Sequence, residues 1–261
     1  MFRFLPFLCV IFIGSYSSSK ELKPLHVATI EIPPFLSQGM PQRGAAGYAL
    51  HETFKSMGYD LILEFYPIRR AKNMTLKNPQ IMAFVPCSKS DVIPGFLLSD
   101  QFFQTTTLVV EHKEAPLVWN EPTDLGKYKG SIGRGYSLKP PMKEVFDKGL
   151  LNIEEAPDDV SGLLKVASKR VQYHLVTDGM YKFLIETDPK IKSVAESLRV
   201  NPKPASHVSW GICFKENDSV SRQVMKELNS SHEKARFSEH VLDYVKKMKS
   251  VIPEKEKSGG K

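Results

Sequence analysis

Short apolar runs alternate with stretches of helical periodicity through the first part of the chain. Three runs have the length of single strands: LHVATI (25–30), LILEF (61–65) and IMAFV (81–85). Between the first two, Ala46, Leu50, Phe54 and Met57 share one helical face, and Gly58 ends the helix. Before the third run, Pro67 opens a second helix, where a missing backbone N–H costs nothing. This order predicts a parallel sheet covered by helices.

The same alternation restarts near residue 107. The predicted strands are TLVVEH (107–112), KGSIG (129–133), NIEEA (152–156) and VQYHLVT (171–177). Helices are predicted at 140–149, at 158–170 with Asp158 as N-cap, and from Asp178 to about Glu186. The sequence therefore predicts two similar α/β units with a crossover near residues 100–107.

The end of the chain is predicted to return to the first unit. HVSWGICF (207–214) has the character of a strand and follows a connector stiffened by two prolines. Helical faces follow at Val220, Val224 and Leu228, and then at Val241, Val245 and Met248. Because too little chain remains for a third core, we expect these helices to pack on the first unit. Two connections would then join the units and act as a hinge.

These patterns divide the chain into four parts. Residues 1–19 combine an early arginine, a short apolar run and a small-residue patch, which is the layout of a secretory signal peptide; a buried first helix is the alternative. Lobe 1 is predicted to comprise residues 20–103 and 207–250, and lobe 2 residues 104–206. Residues 251–261 are predicted to be a flexible tail.

Composition and charge narrow the class of protein. The chain is 41% hydrophobic and 25% charged, which is ordinary globular composition. Its formal charge of +7 comes from scattered basic residues without a basic–aromatic stripe, so a nucleic-acid partner is not expected. Outside the predicted signal peptide, Cys87 and Cys213 remain, either as one disulfide or as two separate buried thiols.

Signals for enzyme chemistry are weak. Cys87 has no histidine in a recognisable partner pattern, and the histidines lack the spacing of metal ligands. The segment IGRGYS lacks the third glycine of a dinucleotide-binding turn. The sequence therefore predicts no catalytic residues, no metal and no cofactor.

Candidate binding residues stand at the ends of the predicted strands, where open α/β sheets bind ligands. In lobe 1 these are Phe35, Arg69, Arg70 and Cys87, and in lobe 2 they are Arg134, Ser137 and Asp178. Structural alternatives exist for several of them. Asp178 could be a plain N-cap, Arg70 a surface ion pair, and GRGYS a capped turn rather than an anion-binding turn.

Six segments together resemble a known family. LHVATIEIPPFLS, GYALHETFKSMGYDLILEFYPIRRA, LSDQFF, TDLGKYKGSIGRGYS, LVTDGMYKFLI and SWGICFKEND have the order and spacing found in bacterial periplasmic solute-binding proteins of the polar-amino-acid type, family 3. The resemblance spans roughly residues 24–250. It implies an α/β protein of two Rossmann-like lobes joined by two crossover hinge strands, the type 2 periplasmic-binding fold.

The resemblance also implies roles for individual residues. Asp178 falls at the position that takes a ligand's α-ammonium group, and the turn of Gly135, Tyr136 and Ser137 at the position that takes its carboxylate. Phe35 and Trp210 match aromatic positions of the ligand site. The strand that carries Cys213 is expected to run antiparallel beside the one that carries Cys87, which favours the disulfide.

This chain departs from the family at one important position. The carboxylate-binding arginine of the family aligns near Val92, and valine cannot form a bidentate clamp. Lys89 or Arg70 are possible substitutes. Gln80 and Gln172 stand where the family has acidic residues. The chain therefore resembles a divergent member with a different ligand or none.

The resemblance implies an exported receptor that closes on a small polar solute, such as an amino acid, without chemistry. A membrane permease of the ABC type or a sensor kinase would detect closure, and a monomer is expected. The expected location is the periplasm, or the exterior after signal-peptide cleavage. The alternatives are a dehydratase-like enzyme on the same scaffold and a ligand-free interaction protein with a decayed cleft.

Overall fold

A computed structural model describes residues 21–234 and 236–251, so the predicted signal peptide and all but the first residue of the predicted tail lie outside it. The strands are β1 (Lys23–Thr29), β2 (Tyr59–Phe65), β3 (Ile81–Cys87), β4 (Phe96–Leu98), β5 (Phe103–His112), β6 (Lys129–Gly133), β7 (Asn152–Ala156), β8 (Tyr173–Thr177), β9 (Leu198–Val200) and β10 (Ser206–Lys215). The α-helices are α1 (Ala45–Ser56), α2 (Ile68–Lys77), α3 (Met142–Asp147), α4 (Asp159–Ala167), α5 (Asp178–Thr187), α6 (Pro189–Val194), α7 (Ser219–Ser230) and α8 (Phe237–Val251). Within these residues, no helix is long and apolar enough to cross a bilayer.

The first lobe is built on the predicted parallel strands. They stand in the order β2–β1–β3, all parallel. The second half of β10 adds an antiparallel strand beside β3, and short β4 pairs with β10. Helix α1 packs against β2, and α2 against β3 and β1. The βαβαβ pattern of the sequence is therefore confirmed.

The second lobe repeats this arrangement with its own sheet. Strands β8, β6 and β7 are parallel, with β6 in the middle. Strand β5 runs antiparallel beside β8, and the first half of β10 runs antiparallel beside β5. Apolar side chains from β5, α4, α5 and α6 form one core of this lobe, and Trp119, Met142 and Tyr173 belong to another.

Strand β10 passes through both lobes. Residues 206–210 pair with β5 of the second lobe, and residues 211–215 pair with β3 and β4 of the first. The register shifts at Gly211, where an added Cβ would lie only 2.7 Å from Ser99 Oγ. Phe102 N donates to Trp210 O at 2.9 Å, so the two crossover segments are bonded to each other. The two-crossover α/β fold is confirmed, while the exact lobe boundaries stay predictions.

The last helices return to the first lobe, as predicted. Val224 and Leu228 of α7 are fully buried, with α7 packing on β10 and β3, and α8 packs on α1. Val220 shares their predicted face but is 48% exposed, because it lies in the first turn of α7, beyond the edge of that core. The side chains of Val245 and Met248 lie outside the described part of the structure.

The short elements were not predicted. Strands β4 and β9 have three residues each and β5 begins at Phe103, four residues before the predicted start. Helix α6 has six residues and begins after Asp188, whose carboxylate accepts from Lys190 N and Ile191 N. Elements of this length carry too few apolar repeats for a periodic signal. Their pairing comes from neighbours that are distant in the sequence.

A disulfide joins Cys87 at the end of β3 to Cys213 in β10, so the predicted pairing is confirmed. Both cysteines are completely buried, beside Phe84 and Phe96. The bond closes a loop of 126 residues that contains the whole second lobe. It therefore covalently links the return strand to the first lobe.

Asp158 is the N-cap of α4, as predicted, and its Oδ1 accepts from Ser161 N at 2.6 Å. Asp158→Ala is expected to lower the free energy of unfolding by about 1 kcal/mol, because one amide of the first turn loses its acceptor. The expected drop in melting temperature is roughly 2–4 °C. Asp147→Ala, which removes only an exposed ion pair with Lys143, should change stability by less than about 0.5 kcal/mol. Equal effects of the two variants would contradict the capping role.

Candidate functional site

A cavity of about 400 Å³ lies between the two lobes. Its wall includes residues at the carboxyl ends of β1, β3, β6 and β8, at Ile30, Pro86, Gly135 and Thr177. In open α/β sheets this is the edge at which ligands bind. The cavity therefore lies where the topology predicts a binding site.

Most of the cavity wall is apolar and much of it is aromatic. The rings of Phe35 and Phe103 meet edge to face at 5.3 Å between centroids. Phe237 extends the cluster, with its ring 5.7 Å from Phe103 and 4.8 Å from Phe102. All four rings line the cavity and pack with the core of the first lobe; they come from the loop after β1, from the first crossover and from α8. Such a wall favours a ligand with an apolar body.

The structure places five of the predicted ligand-binding residues in the cavity wall. They are Phe35, Gly135, Tyr136, Ser137 and Trp210. Arg70 and Arg134 are exposed, and neither is part of the described cavity wall. Helical periodicity explains Arg70: Ile68, Ala71 and Lys72 face the cavity at i, i+3 and i+4, so Arg70 lies on the opposite side of α2.

Asp178 occupies the first position of α5, directly after β8. Thr177 is the N-cap residue, and no side chain caps this helix, so Asp178 does not act as the plain N-cap. Its Oδ1 is buried and accepts no hydrogen bond from the described residues. Thr177, the preceding residue, lines the cavity, whereas Asp178 is not part of the described cavity wall. Its role in binding stays a prediction.

Trp210 connects the hinge to the cavity. Its indole Nε1 donates to Thr105 Oγ1 at 2.7 Å, which fixes the ring between β10 and β5. The ammonium group of Lys139 stands 5.1 Å from the ring centroid, within the range of a cation–π contact. Trp210 thus supports a charged group at the cavity wall.

Asp91 is the centre of an ion cluster that crosses between the lobes. Its Oδ2 lies 2.6 Å from Lys139 Nζ of the second lobe, and its Oδ1 lies 3.1 Å from Lys72 Nζ of α2. Ser88 donates to Oδ2 from both its hydroxyl and its backbone N–H. The side chains of Asp91 and Lys139 are each only 12% exposed. All three charged residues line the cavity.

The charges of this cluster stabilise one another. Burial alone would raise the pKa of Asp91, but the ammonium of Lys139, the Ser88 hydroxyl and Lys72 together hold it at about 2. Burial lowers the pKa of Lys139, and Asp91 opposes that shift. Asp91 is therefore ionised at neutral pH. Lys72, Asp91 and Lys139 were not predicted from the sequence. The four-residue spacing from Ile68 is the local signal that places Lys72 on the same helical face.

A series of hydrogen-bonded side chains leads from the core of the second lobe to the cavity. Ser131 Oγ lies 2.9 Å from His174 Nδ1, and His174 Nε2 lies 2.9 Å from Asp159 Oδ1. Ser131 and His174 are completely buried, so no substrate can reach the hydroxyl as a nucleophile. Asp159 lines the cavity. Burial and the nearby carboxylate of Asp159 both raise the pKa of Tyr136, which also lines the cavity and stays neutral.

Gly179 marks a close approach between the lobes. A Cβ added there would lie 2.2 Å from the tip of the Phe35 ring. Gly179→Ala is therefore expected to hold the lobes apart, while the added methyl favours helix α5 itself. Small-angle X-ray scattering should show a larger radius of gyration, with no loss of melting temperature.

The double variant Phe35→Ala/Gly179→Ala should restore the wild-type radius, because the obstructing ring is gone. A single Gly179→Ala variant with unchanged scattering would mean that the Phe35 ring turns aside and that the contact does not control closure.

No family model matches the chain, and no curated protein matches it. Solved structures do resemble it closely in fold. The GluR0 ligand-binding core in complex with L-glutamate has a TM-score of 0.66 and 12% sequence identity, over 84% of this chain and 97% of that one. The GluR0 core from Nostoc punctiforme with L-glutamate has a TM-score of 0.63 and 14% identity, over 85% and 99% of the two chains.

An arginine-binding protein is a further structural neighbour. The arginine-bound form of truncated ArgBP from T. maritima has a TM-score of 0.60 and 14% identity, over 85% of this chain and 96% of that one. Identities this low establish the fold alone. The chain thus has the type 2 periplasmic-binding-protein fold, with two α/β lobes around a central cleft and a sequence that has diverged far from the solved members.

Proposed function

We propose that this protein is an exported solute-binding receptor that closes its two lobes on a small organic molecule without chemistry. The observation that carries the proposal is the cavity of about 400 Å³ between lobes joined by two strands. The volume lies within the usual range for small-molecule sites. A ligand that contacts both lobes shifts the population toward the closed state, and the crossover strands act as the hinge.

The structural neighbours support a solute-binding role. The solved structures named above hold L-glutamate or arginine. In the same proposal, residues 1–19 direct export, the receptor works in the periplasm or outside the cell, and a permease of the ABC type or a sensor protein detects the closed lobes. The receptor acts as a monomer.

An enzyme on this scaffold is less well supported. A hydrolytic triad would have the same three residue types as the series Ser131, His174 and Asp159. Here, however, the serine in β6 and the histidine bonded to it are both completely buried. Neither group can reach a substrate in the cavity.

A thermal-shift screen of the protein without residues 1–19 tests the proposal, using amino acids, organic acids, amines and sugars. A ligand at 100 times its dissociation constant adds about 2.7 kcal/mol to the free energy of unfolding. For a chain of this size the melting temperature should rise by roughly 5–11 °C. Isothermal titration calorimetry then gives the affinity, and scattering should show compaction. If no compound in the panel binds at millimolar concentration, the receptor proposal fails.

A further inference from the structure

The four charged side chains of the cavity wall differ in how fully their hydrogen-bonding capacity is used. They are Lys72, Lys139, Asp91 and Asp159. Both oxygens of Asp91 already accept hydrogen bonds, Oδ1 from Lys72 and Oδ2 from Lys139 and Ser88. Asp91 therefore has little capacity left for a ligand. The two lysines together carry one more charge than Asp91 neutralises.

The ammonium groups also retain donors. Each lysine ammonium has three N–H groups. Lys72 donates to the backbone oxygen and the Oδ1 of Asp91, and Lys139 donates to Asp91 Oδ2 and Ser88 Oγ. One N–H of each ammonium thus finds no acceptor among the described residues. The side chain of Lys139 is 12% exposed and that of Lys72 is 31% exposed. An unused donor in such a partly buried position favours an additional anionic acceptor.

Apart from Asp159, the described cavity wall offers no partner for a second charged group on the ligand. Ile30, Phe84, Leu175 and Val208 all contribute apolar surface from strands or their ends. Burying a second charge against such side chains without partners is costly. Asp159 is the exception: its Oδ1 is bonded to His174, while Oδ2 accepts no described hydrogen bond. A neutral donor or an ammonium on the same solute could meet Asp159.

We infer that the cleft selects a solute with a bulky apolar body and one carboxylate, and that Lys72 and Lys139 receive the carboxylate. The inference rests on the proposed solute-binding function and specifies its ligand class. It differs from the expectation of a small polar solute: the apolar wall, rather than a polar side-chain pocket, holds the body of the ligand. Asp91 holds the two ammonium groups in place from the first lobe.

Four matched probes test the ligand class by calorimetry: 3-phenylpropionate, phenylalanine, phenethylamine and glutarate. We expect 3-phenylpropionate and phenylalanine to bind at least tenfold more tightly than the other two. Phenethylamine keeps the body without the carboxylate, and glutarate keeps the carboxylate without the ring. Equal or tighter binding of phenethylamine or glutarate would overturn the inference.

The failure of this inference is distinguishable from failure of the proposed function. If glutamate, arginine or a sugar binds tightly and the aromatic acids do not, the receptor stands and the ligand class is wrong. If nothing in the broad screen binds, the receptor proposal itself fails, and the inference fails with it.

Variants of the lysines test the anion site. Lys72→Met should weaken 3-phenylpropionate binding at least tenfold and leave binding of the neutral 3-phenylpropionamide within twofold. Lys77→Met is the matched control, because Lys77 is exposed in the last turn of the same helix α2 and is not part of the described cavity wall. Melting curves show whether each variant folds.

If Lys72→Met does not fold, Lys139→Gln provides the same comparison from the second lobe, with the same two probes. Wild-type affinity for 3-phenylpropionate in the folded variants would overturn the proposed anion site.

Discussion

Replacing Cys87 and Cys213 together by alanine is expected to lower the free energy of unfolding by about 3–5 kcal/mol. The disulfide closes a loop of 126 residues, for which the chain-entropy relation gives roughly 5 kcal/mol. Some of that is offset by structure that remains in the unfolded chain. At 2–4 °C per kcal/mol, the melting temperature should fall by roughly 6–20 °C.

Guanidinium unfolding of oxidised and reduced wild-type protein separates the cross-link from side-chain packing. Both sulfur atoms are buried, so the alanine variant also loses packing around Phe84 and Phe96, whereas reduced wild type loses only the bond. The variant should therefore be the least stable of the three. A reduced protein that unfolds at the same denaturant concentration as the oxidised one would contradict the entropic account.

Asp91→Asn is expected to shift the lobes toward an open state by about 2–3 kcal/mol, roughly a 30- to 150-fold change in the open-to-closed ratio. The substitution leaves Lys139 in a site that is only 12% exposed, without its counter-ion. Removing one partner of a buried pair costs about 3–5 kcal/mol. The effect here is smaller because opening the cleft returns the ammonium group to water.

Small-angle scattering of the ligand-free protein measures this shift as a larger radius of gyration. Glu114→Gln is the control, because its ion pair with Lys169 is exposed on both sides and should contribute little. If Asp91→Asn scatters as wild type does, the cluster does not hold the lobes together.

The same cluster predicts an acid dependence. The pKa of Asp91 lies at about 2, below its ordinary 3.8, so its stabilisation is fully present above about pH 4. It is lost as pH falls toward 2, when the folded protein also takes up the proton. The shift corresponds to about 2 kcal/mol. Stability of the Asp91→Asn variant should therefore fall less than that of wild type between pH 4 and pH 2.

Most of the fold could be predicted from the sequence, but only part of the candidate binding site could. Strand ends and the family resemblance placed Phe35, Gly135 and Ser137 at the cleft, because the carboxyl edge of a parallel sheet follows from the order of the elements. Arg70 came from the same rule and points away from the cleft. The strand-end rule locates a backbone segment, but the rotation of helix α2 decides which of its side chains face inward.

Lys139 illustrates a contact that local sequence patterns cannot predict. It is separated from Asp91 by 48 residues, and each belongs to a different lobe. Nothing in the local sequence around either residue specifies the other. Their contact depends on the angle between the lobes, which the two crossover strands and the packing at Gly211 and Gly179 set together.

Local signals in the sequence were enough for three kinds of feature: the apolar runs of the strands, the periodic faces of α1 and α7, and the capping of α4 by Asp158. The resemblance supplied their assembly into two lobes, including the neighbourhood of Cys87 and Cys213. The chemistry of the cleft depends on tertiary packing, because its charge cluster joins the two lobes and its aromatic wall brings together the loop after β1, the first crossover and α8. Contacts between distant segments arise from packing geometry, which no local pattern encodes.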